Sequence, residues 1–514
     1  MAFSELNIAS SGLFAAQQGL SVTSNNIANM NTTGYSRQVV GQQASTPLSG
    51  FGTGMIGMGV TTTGVSRVRD IFLDQKLWTQ SASYGEYEVK LQQSSLLEGV
   101  FNEPSDDGFT KILTDMFNAI DDFSKDPTAV ENASSTKQMM LNFTQYYNNV
   151  STKFTEFQSD LNFEVKTIVE EINMLTARIQ SLNEQIYYQE MRGDTANALR
   201  DQRDLCVDEL SQLINVEVEE KEVLKSDGNT ELQFVVKTDG QTLVNHLSRR
   251  TFELELRTDV LNEGDAAGLY DVVWSDGQPF DMMSSNLSGQ LGGALDMRDG
   301  AGSPDYNGIP YYIDRLDEYV RTFSQSLNEI YNSDGNGGQM DPPQYMFSYT
   351  DAAGNIMQPS DPDFDYANMT AANFSISYEL DLSAYNFRTN YEHVIDVDDS
   401  SNTVNPNPGN NDLLADLFGQ LNNKDMFAQG SPSDSMIAIF SQLAINTQEA
   451  DMYYNTQSNV RLTIENQRLS TSQVDTTEEF MNMVKYNQAY QMAAKIMQTM
   501  DGIYDITINK LGAW

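Results

Sequence analysis

The chain has 514 residues, of which 72 are acidic and 30 basic, giving a formal charge of -42, and it holds a single cysteine, Cys206. So acidic a chain lacks the cations that displace counter-ions from phosphate, which argues against nucleic acid and anionic membrane surfaces as partners. One cysteine rules out an intrachain disulfide and a cysteine-rich metal site, and no apolar run approaches the ~20 residues that span a bilayer.

The opening stretch, Met1-Ala2-Phe3-Ser4-Glu5, has no basic region ahead of an apolar one, so the expectation is a cytoplasmic chain or one exported without a cleaved signal. A first helix follows. Leu6, Leu13, Leu20 and Ile27 recur at seven-residue spacing, with Ala9, Ala16, Thr23 and Met30 as the interleaved series. This is a heptad seam in which small residues permit close helix approach. The rest of its surface is Ser, Asn and Gln, and such a helix is marginal in water on its own. Asn29 through Gly34 and Tyr35 form a stop built from turn-favouring residues. Residues 41–66, rich in Gly and Thr, are expected to be extended or looped.

Helices are expected over Ile71–Val100 and Phe109–Phe123. Neither Pro nor Gly occurs between Pro127 and Gly193, and there Leu161, Val165, Ile168, Ile172, Leu175, Ile179, Leu182 and Ile186 alternate spacings of four and three. That is a long coiled-coil-like helix, followed by another over Thr195–Leu213. The period then changes to two at Ile214, Val216 and Val218, at Leu232, Phe234 and Val236, at Phe252, Leu254 and Leu256, and at Tyr270, Val272 and Trp274. Asp227-Gly228, Asp239-Gly240 and Asp276-Gly277 mark tight turns, so an antiparallel β domain is expected over 214–286.

Helical pattern returns over Leu287–Tyr331. Residues 333–432 are a Gly-, Pro-, Asp- and Asn-rich insertion with one strand signal at Phe374, Ile376, Tyr378 and Leu380. Two more helices fit Ser433–Asp501, broken near Ser470–Val474, and Thr476 with Glu479 has the spacing of a capping box. The last helix carries Met483, Tyr486, Tyr490, Ala493, Met497, Met500 and Tyr504 on one stripe, widened by Ala489, Ile496 and Ile503.

The expected fold is thus mainly α with β insertions. The N- and C-terminal helices pair in a coiled-coil-like core (1–70 with 475–514). A long helical bundle is drawn from 71–213, 287–332 and 433–474, the antiparallel β domain is inserted at 214–286, and an acidic loop and β-rich insertion lies at 333–432. Charge supports the nesting. Residues 1–50 hold only Glu5 and Arg37, whereas 333–430 hold 15 acids against Arg388 and Lys424. Near-neutral ends suit packing against further copies.

Chemistry-bearing motifs are sparse. The two histidines, His246 and His393, lie in β-rich segments without the context of a nucleophile triad. Gly52-x-Gly54-x-x-Gly57 has the dinucleotide spacing, but neither the preceding strand nor the following helix that such a site needs. Asp361, Asp363 and Asp365, like Asp396, Asp398 and Asp399, lack the full calcium-loop spacing and read as solvated loops. No enzyme activity, cofactor or metal is expected.

The segment Ser24-Asn25-Asn26-Ile27-Ala28-Asn29-Met30-Asn31-Thr32-Thr33-Gly34-Tyr35 resembles the N-terminal motif of bacterial flagellar rod, hook and hook-associated proteins. The segment Glu478-Glu479-Phe480-Met481-Asn482-Met483-Val484-Lys485-Tyr486-Asn487-Gln488-Ala489-Tyr490 resembles their C-terminal motif. Asp201-Gln202-Arg203-Asp204, Gly289 through Asp299, and Glu103-Pro104-Ser105-Asp106-Asp107-Gly108-Phe109 resemble stretches of the hook–filament junction family. Two departures are visible: no Arg near Glu131–Ala133, and no Gly within Ser470–Val474.

The resemblance implies a structural subunit that self-associates in a helical ring between hook and filament. Its expected partners are the hook protein, a second junction protein next to the filament and a flagellar export chaperone. It implies export by the flagellar type III route to an extracellular position. A hook or distal rod protein of the same axial family is the alternative, and an exported wall hydrolase would need a catalytic site that is not evident. The expected assembly interface comprises Leu6, Ala9, Leu13, Ala16, Leu20, Asn26, Ile27, Asn29, Gly34 and Tyr35. From the last helix come Met483, Tyr486, Tyr490, Ala493, Met497, Met500 and Tyr504.

Overall fold

The computed structural model describes residues 2–50, 54–101, 108–224, 230–396 and 403–510. Gly52, Glu103–Asp107, the Asp227-Gly228 turn, and Asp398 and Asp399 lie outside the described residues.

Helix α1 (Ala2–Asn29) leads into a ribbon of short strands, β1 (Gln38–Ala44), β2 (Leu48–Gly50), β3 (Gly54–Ile56) and β4 (Val60–Arg67), in which β1 pairs with β4 and β2 with β3. The stretch expected to be extended or looped is therefore a folded-back hairpin. Gly54 opens one of its strands, and the next helix, α2 (Ile71–Phe101), begins only after the hairpin ends.

Helices α3 (Phe109–Lys125), α4 (Val130–Glu190) and α5 (Asn197–Leu213) follow. Without a breaker, α4 runs 61 residues, about 90 Å at 1.5 Å per residue. Every apolar position of its expected stripe, from Leu161 to Ile186, is buried. Its polar residues have a second task. Asn148 donates to the carbonyls of Ala371 and Phe374, Asn162 pairs with the backbone of Tyr270 and Gly268, Asn173 with both backbone groups of Phe252, and Asn183 with His246. A side-chain amide offers a donor and an acceptor, so each can satisfy backbone groups that would otherwise be buried unpaired.

The expected antiparallel β segment holds two sheets. Strands β5 (Glu217–Leu224), β6 (Thr230–Thr238), β7 (Gln241–Asn245) and β8 (Ser248–Arg249) form one antiparallel sheet in sequence order, and β9 (Phe252–Leu256) pairs separately with β10 (Tyr270–Trp274). Ile214 and Val216 precede β5, and both are buried. The helical pattern of 287–331 is likewise broken, into α6 (Gly289–Asp299) and α7 (Ile309–Tyr331). Gly293 lets α6 approach α2 closely, since a Cβ there would lie 2.5 Å from the Glu86 carbonyl oxygen.

Residues 333–432 hold β11 (Phe347–Tyr349), β12 (Phe374–Ile376), the short helix α8 (Tyr378–Leu382) and α9 (Asp412–Gly419). Only Phe374 and Ile376 of the expected strand are extended, because Tyr378 and Leu380 turn into α8. Phe347, Phe374, Phe387 and Leu417 belong to the same buried cluster as Phe109, Phe143 and Phe323 of the bundle. Arg388, fully buried, donates to the carbonyls of Tyr331, Ser333, Tyr391 and His393 and so stitches the segment to the end of α7.

Helices α10 (Pro432–Ser472) and α11 (Thr476–Asp505) complete the chain. α10 lies antiparallel along α2, with Tyr87 stacked on Tyr453 at 4.8 Å and Phe101 against Phe440 at the other end. The expected Thr476–Glu479 capping box does not form. Asp475 caps α11 by accepting from the amides of Thr477 and Glu478, because Glu479 is drawn instead to Arg37.

Candidate assembly interface

α1 and α11, at opposite ends of the sequence, lie side by side and antiparallel. Met30 reaches Thr476, Gly19 lies under the Tyr486 ring, and Ala9 and Ala493 line one groove. The helices touch because α1 has no side chain at Gly19, where a Cβ would sit 2.7 Å from the ring. Of the two interleaved series on α1, the small one is the deeper. Ala9, Ala16 and Thr23 are buried, with Asn26 alongside, while Leu6, Leu13, Leu20 and Ile27 are half-buried and Met30 is exposed. On α11, Ala493 is buried, Met483, Tyr486, Met497, Met500 and Tyr504 are half-buried, and Tyr490 lies at the exposed edge.

A second apolar stripe on α11 has no cover among the described residues. Met481, Val484, Met492 and Ile503 are between 48% and 65% exposed. Of the residues expected to widen the seam, Ala489 and Ile496 are exposed but line an open groove against α1, while Ile503 lies on the outer stripe. Phe14 on α1 and Phe480 at the start of α11 are uncovered as well. A helix that is apolar on two faces suits an environment where both are covered.

The turn after α1 is held by amide chemistry. The buried Asn26 side chain donates to the Gln38 carbonyl at 2.9 Å and accepts from the Gln38 amide at 3.0 Å, acting as one more residue of the β1 ladder. Tyr35 donates its hydroxyl to the same Asn26 oxygen at 2.8 Å and accepts from Asn25. That phenol is pushed up to about 12, first by burial and then by the carboxylates of Asp201 and Glu479, so it stays a neutral donor. Asn29 folds back onto Asn25. Gly34 adopts φ +77, a left-handed turn that disfavours residues with a Cβ, and faces Leu205.

A knot of ion pairs joins this terminal unit to the bundle. The three cations of residues 1–70 are Arg37, Arg67 and Arg69. Arg37 pairs with Glu478 and Glu479 at the start of α11, Arg67 with Asp201 and Asp204 on α5, and Arg69 with Asp74 on α2 and with Asp204. From α10, Arg468 holds Asp208, which also accepts from the Trp78 indole at 2.7 Å. The Ser36 amide donates to Asp201. Burial opposes ionisation of Asp204, but Arg69, Arg203 and Arg67 outweigh it and hold the carboxyl below the usual carboxylate range. Asp208 is tipped the other way, with burial pushing its carboxyl up against the pull of Arg468. Removing one partner from such a buried pair typically costs about 3–5 kcal/mol.

Every residue of the expected interface therefore lies on the α1–α11 pair or the turn that closes α1. Sequence reasoning missed the ionic knot and the outer stripe of α11. The scarcity of cations in 1–70 was the readable signal for the first: three arginines in seventy residues, all within 37–69. Among the described residues, no group of three or more His, Cys, Asp or Glu side chains could hold a metal ion, and no helix is long and apolar enough to cross a membrane.

Known proteins match this arrangement in the same three parts. The family model described as Flagella basal body rod protein matches residues 6–35, and that described as Flagellar basal body rod FlgEFG protein C-terminal matches 465–511. Those two ends are similar to flagellar basal body rod proteins. The model described as Flagellar hook-associated protein FlgK helical domain matches 94–341. Flagellar hook-associated protein 1 of Bacillus subtilis (strain 168) is 28% identical over 542 residues, covering 99% of this chain and 98% of that protein. Flagellar hook-associated protein 1 of Escherichia coli (strain K12) is 24% identical over 572 residues, with 98% and 99% covered. The flagellar hook junction protein FlgK from Burkholderia pseudomallei shares the fold, with a TM-score of 0.58 at 12% identity over 77% of this chain and 100% of that one. From end to end the chain is similar to flagellar hook-associated protein 1.

Proposed function

We propose that the chain is a structural, non-enzymatic subunit of the bacterial flagellum that forms the junction between hook and filament. Its α1–α11 pairs pack against those of further copies in a helical ring, while the bundle and β units project outward. The observation that carries this reading is the outer stripe of α11, apolar and uncovered on a helix whose other face is already occupied by α1. The rest of α1 beyond Glu5 carries no charged side chain, which supports the same reading, since no desolvated ion opposes burial there. Neighbours in the array would be the hook protein and a second junction protein. An export chaperone would cover the C-terminal helices before passage through the flagellar type III channel.

A hook or distal rod protein, the other reading of the two end motifs, leaves the helical domain over 94–341 without a role. Against an enzyme, His393 is driven down to about 4 by burial and the nearby Arg388, and its Nδ1 accepts from the Thr389 amide. It is a buried neutral ring, with no nucleophile beside it among its recorded partners.

The test is genetic and structural. Cells lacking the chain should build hooks but carry no filaments, with filament subunits released into the medium. Leu13→Asp or Leu20→Asp puts a charge on the half-buried flank of the seam and should reproduce that phenotype, while the purified variant keeps the bundle's cooperative unfolding. Filaments attached normally to cells carrying either variant would refute the reading.

A further inference from the structure

One groove on the terminal pair is filled by nothing among the described residues. Between α1 and α11 lies an open depression of about 490 Å³, lined by Ala9, Gly12, Ala489, Met492, Ala493 and Ile496, with Glu5 as its one charged member. An apolar cavity of about 150 Å³ is enough to admit a benzene ring.

Gly12 is the informative residue. It lies inside a 28-residue helix, where glycine is disfavoured relative to alanine. Gly19 has an intrachain reason to be glycine, the Tyr486 ring. Gly12 has none, because a Cβ added there would meet nothing within 4 Å. Space left open at a conformational cost, on an apolar floor continuous with the α1–α11 seam, suits a group arriving from another molecule.

Phe14 is the matching knob. It is 65% exposed, the most exposed large apolar side chain of α1 among the described residues. Two positions along a helix correspond to a rotation of about 200°, so Phe14 points to the far side of α1 from Gly12. A knob and a hole on opposite sides of one helix cannot satisfy each other in a closed twofold dimer. They link copies head to tail, and the contact repeats along the array.

We infer that Phe14 of one copy seats in the Gly12 groove of the next, and that this contact gives the array its direction. The inference rests on the assembly proposed above and names its partner as a second copy of this chain.

Full-length variants test it. Gly12→Leu fills the groove, Phe14→Ala removes the knob, and Gly12→Ala is the mild control. Neither position packs within the monomer, so thermal unfolding of the purified chain should be unchanged or slightly raised. Cells with filaments still attached should fall at least tenfold for Gly12→Leu and for Phe14→Ala, and stay near the parent level for Gly12→Ala. Co-expressing a copy carrying Phe14→Cys with one carrying Ala489→Cys should give a covalent dimer on oxidation of assembled flagella, with the buried Cys206 staying out of the reaction. Normal attachment by both Gly12→Leu and Phe14→Ala, without the cross-link, overturns the inference. If Leu13→Asp still abolishes attachment in that case, assembly through the terminal pair stands and only this contact is wrong. If Leu13→Asp is also harmless, both fall.

Discussion

Asn26 shows how a short polar side chain can be as demanding as a core residue. Its amide closes two backbone groups of Gln38 and receives the Tyr35 hydroxyl, all at a buried position. Asn26→Ala strands both backbone groups, a loss on the order of 2–4 kcal/mol at ~1–2 kcal/mol each. The effect should be local, with faster amide hydrogen exchange at Gln38 and along β1 and little change in the bundle. Asp317 carries the clearest pH dependence. Burial pushes its carboxyl up to about 6, against the pull of the Ala371 amide and Arg321. A folded-state value above the unfolded ~3.9 means that its destabilising contribution is absent below about pH 4 and grows as pH rises through 6. Asp317→Asn keeps an acceptor for the Ala371 amide and removes the charge. The variant should melt above the parent at pH 7, by the equivalent of about 1–2 kcal/mol after allowing for solvent screening, and the gap should close toward pH 4.

Elements differed in how much of them could be read beforehand. The course of α4 was legible because its stripe is unbroken and no breaker interrupts 61 residues. The asparagines that dock other segments onto it were not, since Asn148, Asn162, Asn173 and Asn183 look like solvated face until their partners are known. Asn173→Ala removes both bonds to the Phe252 backbone and should lower the denaturant midpoint by the equivalent of about 2 kcal/mol with an unchanged slope. The cap of α11 was misread for a related reason: the spacing of Thr476 and Glu479 is a local signal, and it lost to a cation 442 residues away in sequence. The segment 333–432 looks solvated by composition, yet Phe347, Phe374 and Phe387 are core residues, and those aromatics were the clue that its aspartates obscured. In the terminal pair, the heptad register was readable on both helices. Which series faces inward depends on the close approach allowed by Gly19, and spacing alone does not encode that.

At the scale of the molecule, a cluster of charge joins the terminal pair to the bundle. The joint draws on α1's following turn, β4, α2, α5, α10 and α11, and its guanidinium groups have alternatives at hand. Arg67 binds Asp201 and Asp204 together. Arg69 binds Asp74 with Asp204 at 3.4 Å, and Arg468 binds Asp208 with Asp74 at 3.5 Å. A spinning shaft flexes every part fastened to it. A coupling of forked cations among crowded carboxylates can yield by a small swivel, each arginine sliding its grip from one acid to the next without stranding a bare ion, and spring back when the strain passes. Lysine, a single point without a fork, would lose that tolerance. Arg69→Lys should therefore give cells that build complete flagella and then break at this collar under milder shear than their parent, scored as filaments shed in a stirred culture.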